Sequence, residues 1–311
     1  MGKRSTQKTF IIGEETTRGQ EASNIDKTLG EVTDVTDTNE AELITSSGLS
    51  QRSDKFIDQG TKTFSKSYTA DYRNARPLYY MLGSVTHNEQ SGDVEHTITV
   101  LEDEKKPTIT VESSERGNNG TGEQATGVLH TSLSLSSSLD EHLEVSGETI
   151  GLNEPTPVTS PQAQPAGLTS NKPLPHSQHE VKVDGTTITE VQSFDIDLTN
   201  EEITAHGLGS NEPQEIGAES LEITTSIEAI VTNNDFLTKL LNESSQTLTF
   251  IATNGKTLGS GKRGLEIQAS QHHATSFEKE VSTDDFAVVT FEGRIILEQL
   301  IATDGITETN F

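Results

Sequence analysis

Cysteine and tryptophan are both missing from this chain of 311 residues. Without cysteine there is no disulfide, no iron–sulfur cluster and no thiolate-ligated zinc. Without tryptophan, and with only four tyrosines, the stacking platforms of a sugar-binding sandwich are scarce. No run of 18 apolar residues occurs, so no transmembrane helix is expected and no membrane partner. The opening MGKRSTQKTFIIGEE has no apolar stretch long enough for a signal peptide, so a soluble product of a cytoplasm is expected. Cations are few as well: 22 Lys and Arg stand against 49 Asp and Glu, for a net charge of −27. Such a surface repels nucleic acid phosphates. It also suits concentrated salt, which screens self-repulsion over a few ångströms, and a halophilic origin is expected.

What is present is patterned. Hydrophobic residues make up only 30% of the chain, low enough to raise disorder, but they fall in short alternating runs. Half-buried β-strands require that alternation. The segment GLSQRSDKFIDQGTKTFSKSYTADYRNARPLYYML (48–82) matches GLGSNEPQEIGAESLEITTSIEAIVTNNDFLTKLL (207–241) without a gap. Phe64 and Tyr68 fall on Ile223 and Ile227, and Leu78, Met81 and Leu82 fall on Leu237, Leu240 and Leu241. The offset is 159 residues, about half the chain. A duplicated unit of this kind suits a ring-building block.

Each copy ends in a change of period from two to the i, i+3, i+4 stripe of a short helix, expected near 75–83 and 234–242. Pro77 suits the first helical turn, and Gly83 stops the helix. Strands resume after each helix, and HTITVL (96–101) matches QTLTFI (246–251). The expected organisation is an N-terminal arm (1–27), a first domain (28–152), a Pro-rich linker (153–184), a second domain (185–302) and a C-terminal tail (303–311). The fold class expected is mainly β: two tandem β-sandwiches, each with one short helix. The stretches 112–124 and 254–264 are expected as mobile loops.

Motifs with chemical potential weigh little. Gly259, Gly261 and Gly264 satisfy GxGxxG, but Leu265–Ala269 alternates as a strand, where a dinucleotide site needs a helix. The segment reads as a hairpin tip carrying Lys256, Lys262 and Arg263, a basic cluster suited to an acidic neighbour. His176 with His179, and His272 with His273, lack a third ligand, so no metal site is expected. Asp195 and Asp197 share one strand face, without an accompanying pocket signature. No catalytic residue, cofactor or metal is expected, and no enzymatic activity.

FIIGEETTRGQEAS, TLGEVTDV, ARPLYYMLGSV, HTITV and KPTITVESSE, followed by the small-residue alternation of HTSLSLSSSLDEHLEVSGETIGL, resemble the tail tube proteins of long-tailed phages and archaeal viruses. The resemblance spans about residues 8–300 and lies in the order of elements. It implies a structural virion protein whose strands add to the inner β-barrel of a ring. Rings of this family commonly hold six tube domains, so a two-domain chain implies a trimeric, pseudo-hexameric ring. Stacked rings would make a hollow conduit for DNA, located in the virion tail and made in the host cytoplasm. The implied partners are further copies of the chain and other tail proteins: tape measure, tail terminator and baseplate or tip. DNA would pass without specific binding. Asp195, Asp197, Glu222 and Glu228 are expected on the lumen side, and Lys256, Lys262 and Arg263 at ring-to-ring contacts. The competing class is a secreted surface-layer or adhesin-type acidic β-sandwich, which a signal peptide and calcium loops would favour.

Overall fold

The computed structural model describes residues 8–46, 56–90, 93–102, 105–115, 121–162, 172–230, 246–258, 261–280 and 287–304. The chain is mainly β. Its strands are β1 (Lys8–Glu14), β2 (Glu31–Ser46), β3 (Phe56–Asp71), β4 (Gly83–Gln90), β5 (Asp93–Val100), β6 (Ile109–Glu115), β7 (Gly122–Ser138), β8 (Glu144–Gly151) and β9 (Thr156–Val158). They continue as β10 (His179–Val183), β11 (Thr186–Ile188), β12 (Val191–His206), β13 (Pro213–Ile230), β14 (Gln246–Leu258), β15 (Gly261–Glu280) and β16 (Val288–Asp304). One helix, α1 (Arg76–Leu82), follows β3. Pro77 lies in its first turn, and Gly83, at φ 93°, ends it by donating its N–H to Tyr79. The helix expected at 234–242 lies outside the described residues.

Eight strands form a continuous antiparallel run in the order β2-β3-β8-β7-β12-β13-β16-β15, four from each half of the chain. Alternation sets its two faces. Phe194, Ile196 and Leu198 of β12 are buried, while between them Asp195 is half-buried and Asp197 exposed. The apolar face is covered by α1 and the shorter strands. Buried residues of both halves, among them Tyr68, Leu133, Phe194, Ile227 and Phe250, form one contiguous cluster. Two buried charges beside it are paired. Lys66, on the buried face of β3, meets Asp37 of β2. Buried Glu15 accepts from the hydroxyls of Thr108 and Thr110 and from the N–H groups of Gly19 and Gly127.

The halves repeat each other at the level of strand register. In the β2–β3 hairpin, Val35 faces Tyr68 and Asn39 faces Phe64; in β12–β13, Phe194 faces Ile227 and Leu198 faces Ile223. Every one of these positions is displaced by 159. Both hairpins carry bulges at the same two places, after Val32 and Ala41 in one and after Val191 and Asn200 in the other. The second pair of strands repeats at a different offset. Leu133 faces Gly147 in β7–β8 and Phe277 faces Phe291 in β15–β16, a displacement of 144, with matching bulges after His130 and Ala274. Bulges break a ladder at one residue, so their retention fixes the correspondence more tightly than the apolar pattern does.

Four expectations are corrected. Residues 8–14, expected within a polar arm, are strand β1, paired with β6 and burying Phe10, Ile11 and Ile12. Part of the expected linker is also ordered sheet, since β10 pairs with β14 and β11. The counterpart of QTLTFI is not HTITVL. β14 pairs with β15 as β6 pairs with β7, with Leu248 on Ala269 matching Val111 on Ala125. HTITVL lies in β5, which pairs with β4 and crosses to β16 of the other half, Ile98 facing Leu300. The expected loops 112–124 and 254–264 are, where described, arms of the β6–β7 and β14–β15 hairpins.

The halves are also pinned by buried polar contacts. His96 Nε2 meets Asp304 Oδ1 at 3.0 Å, and the other oxygen of Asp304 accepts from Ala75 N–H at the start of α1. Lys106 donates to Met81 O at 3.2 Å and to Asn200 Oδ1 of β12 at 2.6 Å. Burial lowers the Lys106 ammonium to about 8.

Candidate functional surface

The outer face of the eight-stranded run carries the charged pattern. Strand register places its side chains in rows across the strands. One row reads Asp34, Thr69, Ser146, Ser134, Asp197, Thr224 and Arg294. The next reads Asp71, Glu144, Ser136, Asp195, Ser226, Glu292 and Ser276. Apart from Arg294, every residue named in these two rows is a hydroxyl or a carboxylate.

This face is concave. A depression of about 490 Å³ runs across five neighbouring strands, lined by Asp34, Thr36, Ser67, Thr69, Ser132, Ser134, Ser146, Glu148, Asp197 and Thr199. A hollow across hydrogen-bonded neighbours is consistent with a sheet that curls towards that side. Small serine and threonine side chains permit the curl, because they leave the inside of the bend uncrowded.

The four carboxylates singled out from the sequence fall together on this face. Asp195 and Asp197 project from β12, opposite Ser226 and Thr224, and Glu228 and Glu222 project from β13, opposite Ser193 and Thr199. Asp195 accepts from the Ser136 hydroxyl at 2.6 Å, across the junction between the halves. Burial raises the Asp195 carboxyl, neighbouring Asp197 adds to the rise, and the Ser136 hydrogen bond opposes it. Glu222 accepts from Arg294 Nε at 2.6 Å. The expected basic cluster sits elsewhere, on the β14–β15 hairpin, where Leu258 pairs with Gly261. Arg263 is half-buried there, while the side chains of Lys256 and Lys262 lie outside the described residues. The first-half acids Asp34, Asp71, Glu144 and Glu148 belong to the same surface and were not singled out. The serine alternation in LHTSLSLSSS (129–138) was the signal for them, because it marks the neighbouring strand of the same face.

Among the described residues, no group of three or more His, Asp or Glu is placed to hold a metal ion. Two histidines pack within the fold. His130 meets the Tyr68 hydroxyl at 3.1 Å and stacks on Tyr80. His179 Nδ1 meets Ser137 Oγ at 2.6 Å, and its Nε2–H donates to Leu174 O at 3.2 Å. No described helix is long and apolar enough to cross a membrane.

Comparison with known proteins supplies one match. The family model for phage tail tube proteins fits residues 5–294. No curated protein matches the chain.

Proposed function

The chain belongs to the phage tail tube protein family, a structural component of the virion tail, and from this premise we propose that three copies close into a ring and that rings stack into a conduit for viral DNA. The concave acidic face carries this reading. Eight strands per chain make 24 in a trimer, and at roughly 4.8 Å per strand, with tilt, a backbone diameter of about 40 Å follows. Side chains narrow that width and still leave room for a duplex.

The chemistry of the concave face suits passage. Asp195, Asp197, Glu222 and Glu228 would face the lumen with the serine and threonine rows. Carboxylates cannot replace the cations condensed on a phosphate backbone, so the acidic rows give the duplex no counterion release to bind by along a long contact. In this reading the two halves are tandem tube units, divided within 153–184, and the ring is pseudo-hexameric. The β14–β15 hairpin, with Lys256, Lys262 and Arg263, would reach the next ring. Neighbours in the tail would include its tape measure, terminator and tip proteins.

Cryo-electron microscopy of the purified chain in high salt tests this. The expected image is a hollow tube with three chains per ring and the β12–β13 carboxylates inward. Six chains per ring would overturn the trimer. Monomers or a flat lattice would overturn the tube and favour a surface layer.

A further inference from the structure

The run of eight strands has two ends, and the fold contains a template for joining them. Among the described strands, β2 pairs with β3 and ends the run. At the other end, residues 274–280 of β15 pair with β16, and the described part of β14 pairs with β15 from His272 to Gly261. In mid-sheet the equivalent strands are joined: β7 is the counterpart of β15, β12 is the counterpart of β2, and they pair from Ser132 on Thr199 to Ser138 on Ser193. We infer that β15 of one copy pairs antiparallel with β2 of a second copy in the register that β7 uses on β12. The register is read from the structure; only the closing of three such junctions into a ring rests on the tube reading.

Applying the two displacements to the internal junction gives the pairs. Leu133 on Leu198 becomes Phe277 on Asn39, Ser134 on Asp197 becomes Glu278 on Thr38, and Leu135 on Ile196 becomes Lys279 on Asp37. Charge selects this register independently. Lys279 meets Asp37, which then lies between Lys279 of the neighbour and its own Lys66. On the outer face Glu278 and Glu280 each oppose a threonine, as Asp197 and Asp195 oppose serines inside the chain. A slip of two residues, the smallest that keeps the faces, sets Glu278 against Glu40 one way and Glu280 against Asp34 the other. Either slip also moves Lys279 off Asp37. Like charges directly opposite destabilise an antiparallel pair, and opposite charges stabilise it. Phe277, packed on Phe291 at a centroid distance of 5.2 Å yet 36% exposed, gains cover when an edge strand arrives.

The test uses the absence of native cysteine. Directly opposite residues bring Cα atoms to about 4.5–5.5 Å, within disulfide reach. The double variant Thr38→Cys with Glu278→Cys should, on oxidation of assembled protein, give linked species of two and three chains and stop there. Thr38→Cys with Glu280→Cys samples the slipped register and should link at least tenfold more slowly. Lys279→Glu should raise the protein concentration needed for assembly at least tenfold while leaving the melting temperature of the unassembled chain unchanged. Tubes by microscopy without the Thr38–Glu278 link, or faster linking of the slipped pair, would overturn the register and leave the tube standing. Linked chains without tubes would do the reverse. Unchanged assembly of Lys279→Glu would remove the charge selection.

Discussion

His130 shows how a buried side chain couples this fold to pH. It is enclosed by Tyr68 and Tyr80, and burial pulls its imidazole down to about 3. Burial also brings His179 down to about 4 and lowers His272. In the unfolded chain each titrates near 6.5. Between pH 6.5 and 3 the unfolded state therefore binds more protons, and stability falls as pH falls through that window. The melting temperature should drop steadily from pH 7 to pH 4. His130→Gln should flatten that slope whatever its own starting stability. An equally steep slope in the variant would assign the acid sensitivity to other groups.

At the scale of elements, facing strands trade volume. Tyr68 faces Gly147 across β3–β8, and the equivalent pair across β13–β16 is Ile227 with Phe291. The large ring has changed strands while the space stayed filled. A Cβ at Gly147 would sit 2.6 Å from the Tyr68 ring, which is held by Phe10 and His130 and has nowhere to go. Gly147→Val should cost about 1–3 kcal/mol, read as a lower midpoint of urea unfolding. Ring exchange of this kind also explains what the sequence disclosed. Phe194, Ile196 and Leu198, and the Pro77–Gly83 helix, were legible because alternation and capping are local. The 159-residue repeat was legible because β12 and β13 keep the same register and bulge positions as β2 and β3. Shorter connections in the second half changed the displacement to 144, and no gap-free match can follow that change. HTITVL and QTLTFI look alike because period two is the same in any half-buried strand and names no partner. β1 was hidden by its brevity, with three apolar residues in seven.

For the whole molecule, charge sets the conditions of assembly. Three copies would carry a formal −81, from three times the chain's −27. Screening shortens the range of that repulsion from about 30 Å at 0.01 M salt to about 3 Å at 1 M. Tubes formed in molar salt should loosen into rings or single chains on dialysis to a few millimolar, followed by light scattering and microscopy. Tubes intact at that salt would show that short-range contacts outweigh the net charge. The acids of the concave face were only half legible. A carboxylate pair on one strand is visible in sequence, but the rows exist only once β7 is laid beside β12.

The pairing of β5 with β16 sets an order of events during synthesis. Ile98 leaves the ribosome about 200 residues before Leu300, its partner. At roughly 5–20 residues per second the nascent hairpin waits about 10–40 s with one edge unpaired. Through that interval the sheet is incomplete and the chain's acidity keeps neighbouring nascent copies apart. The last of the described strands to be made is thus the one that pairs with the waiting edge of β5.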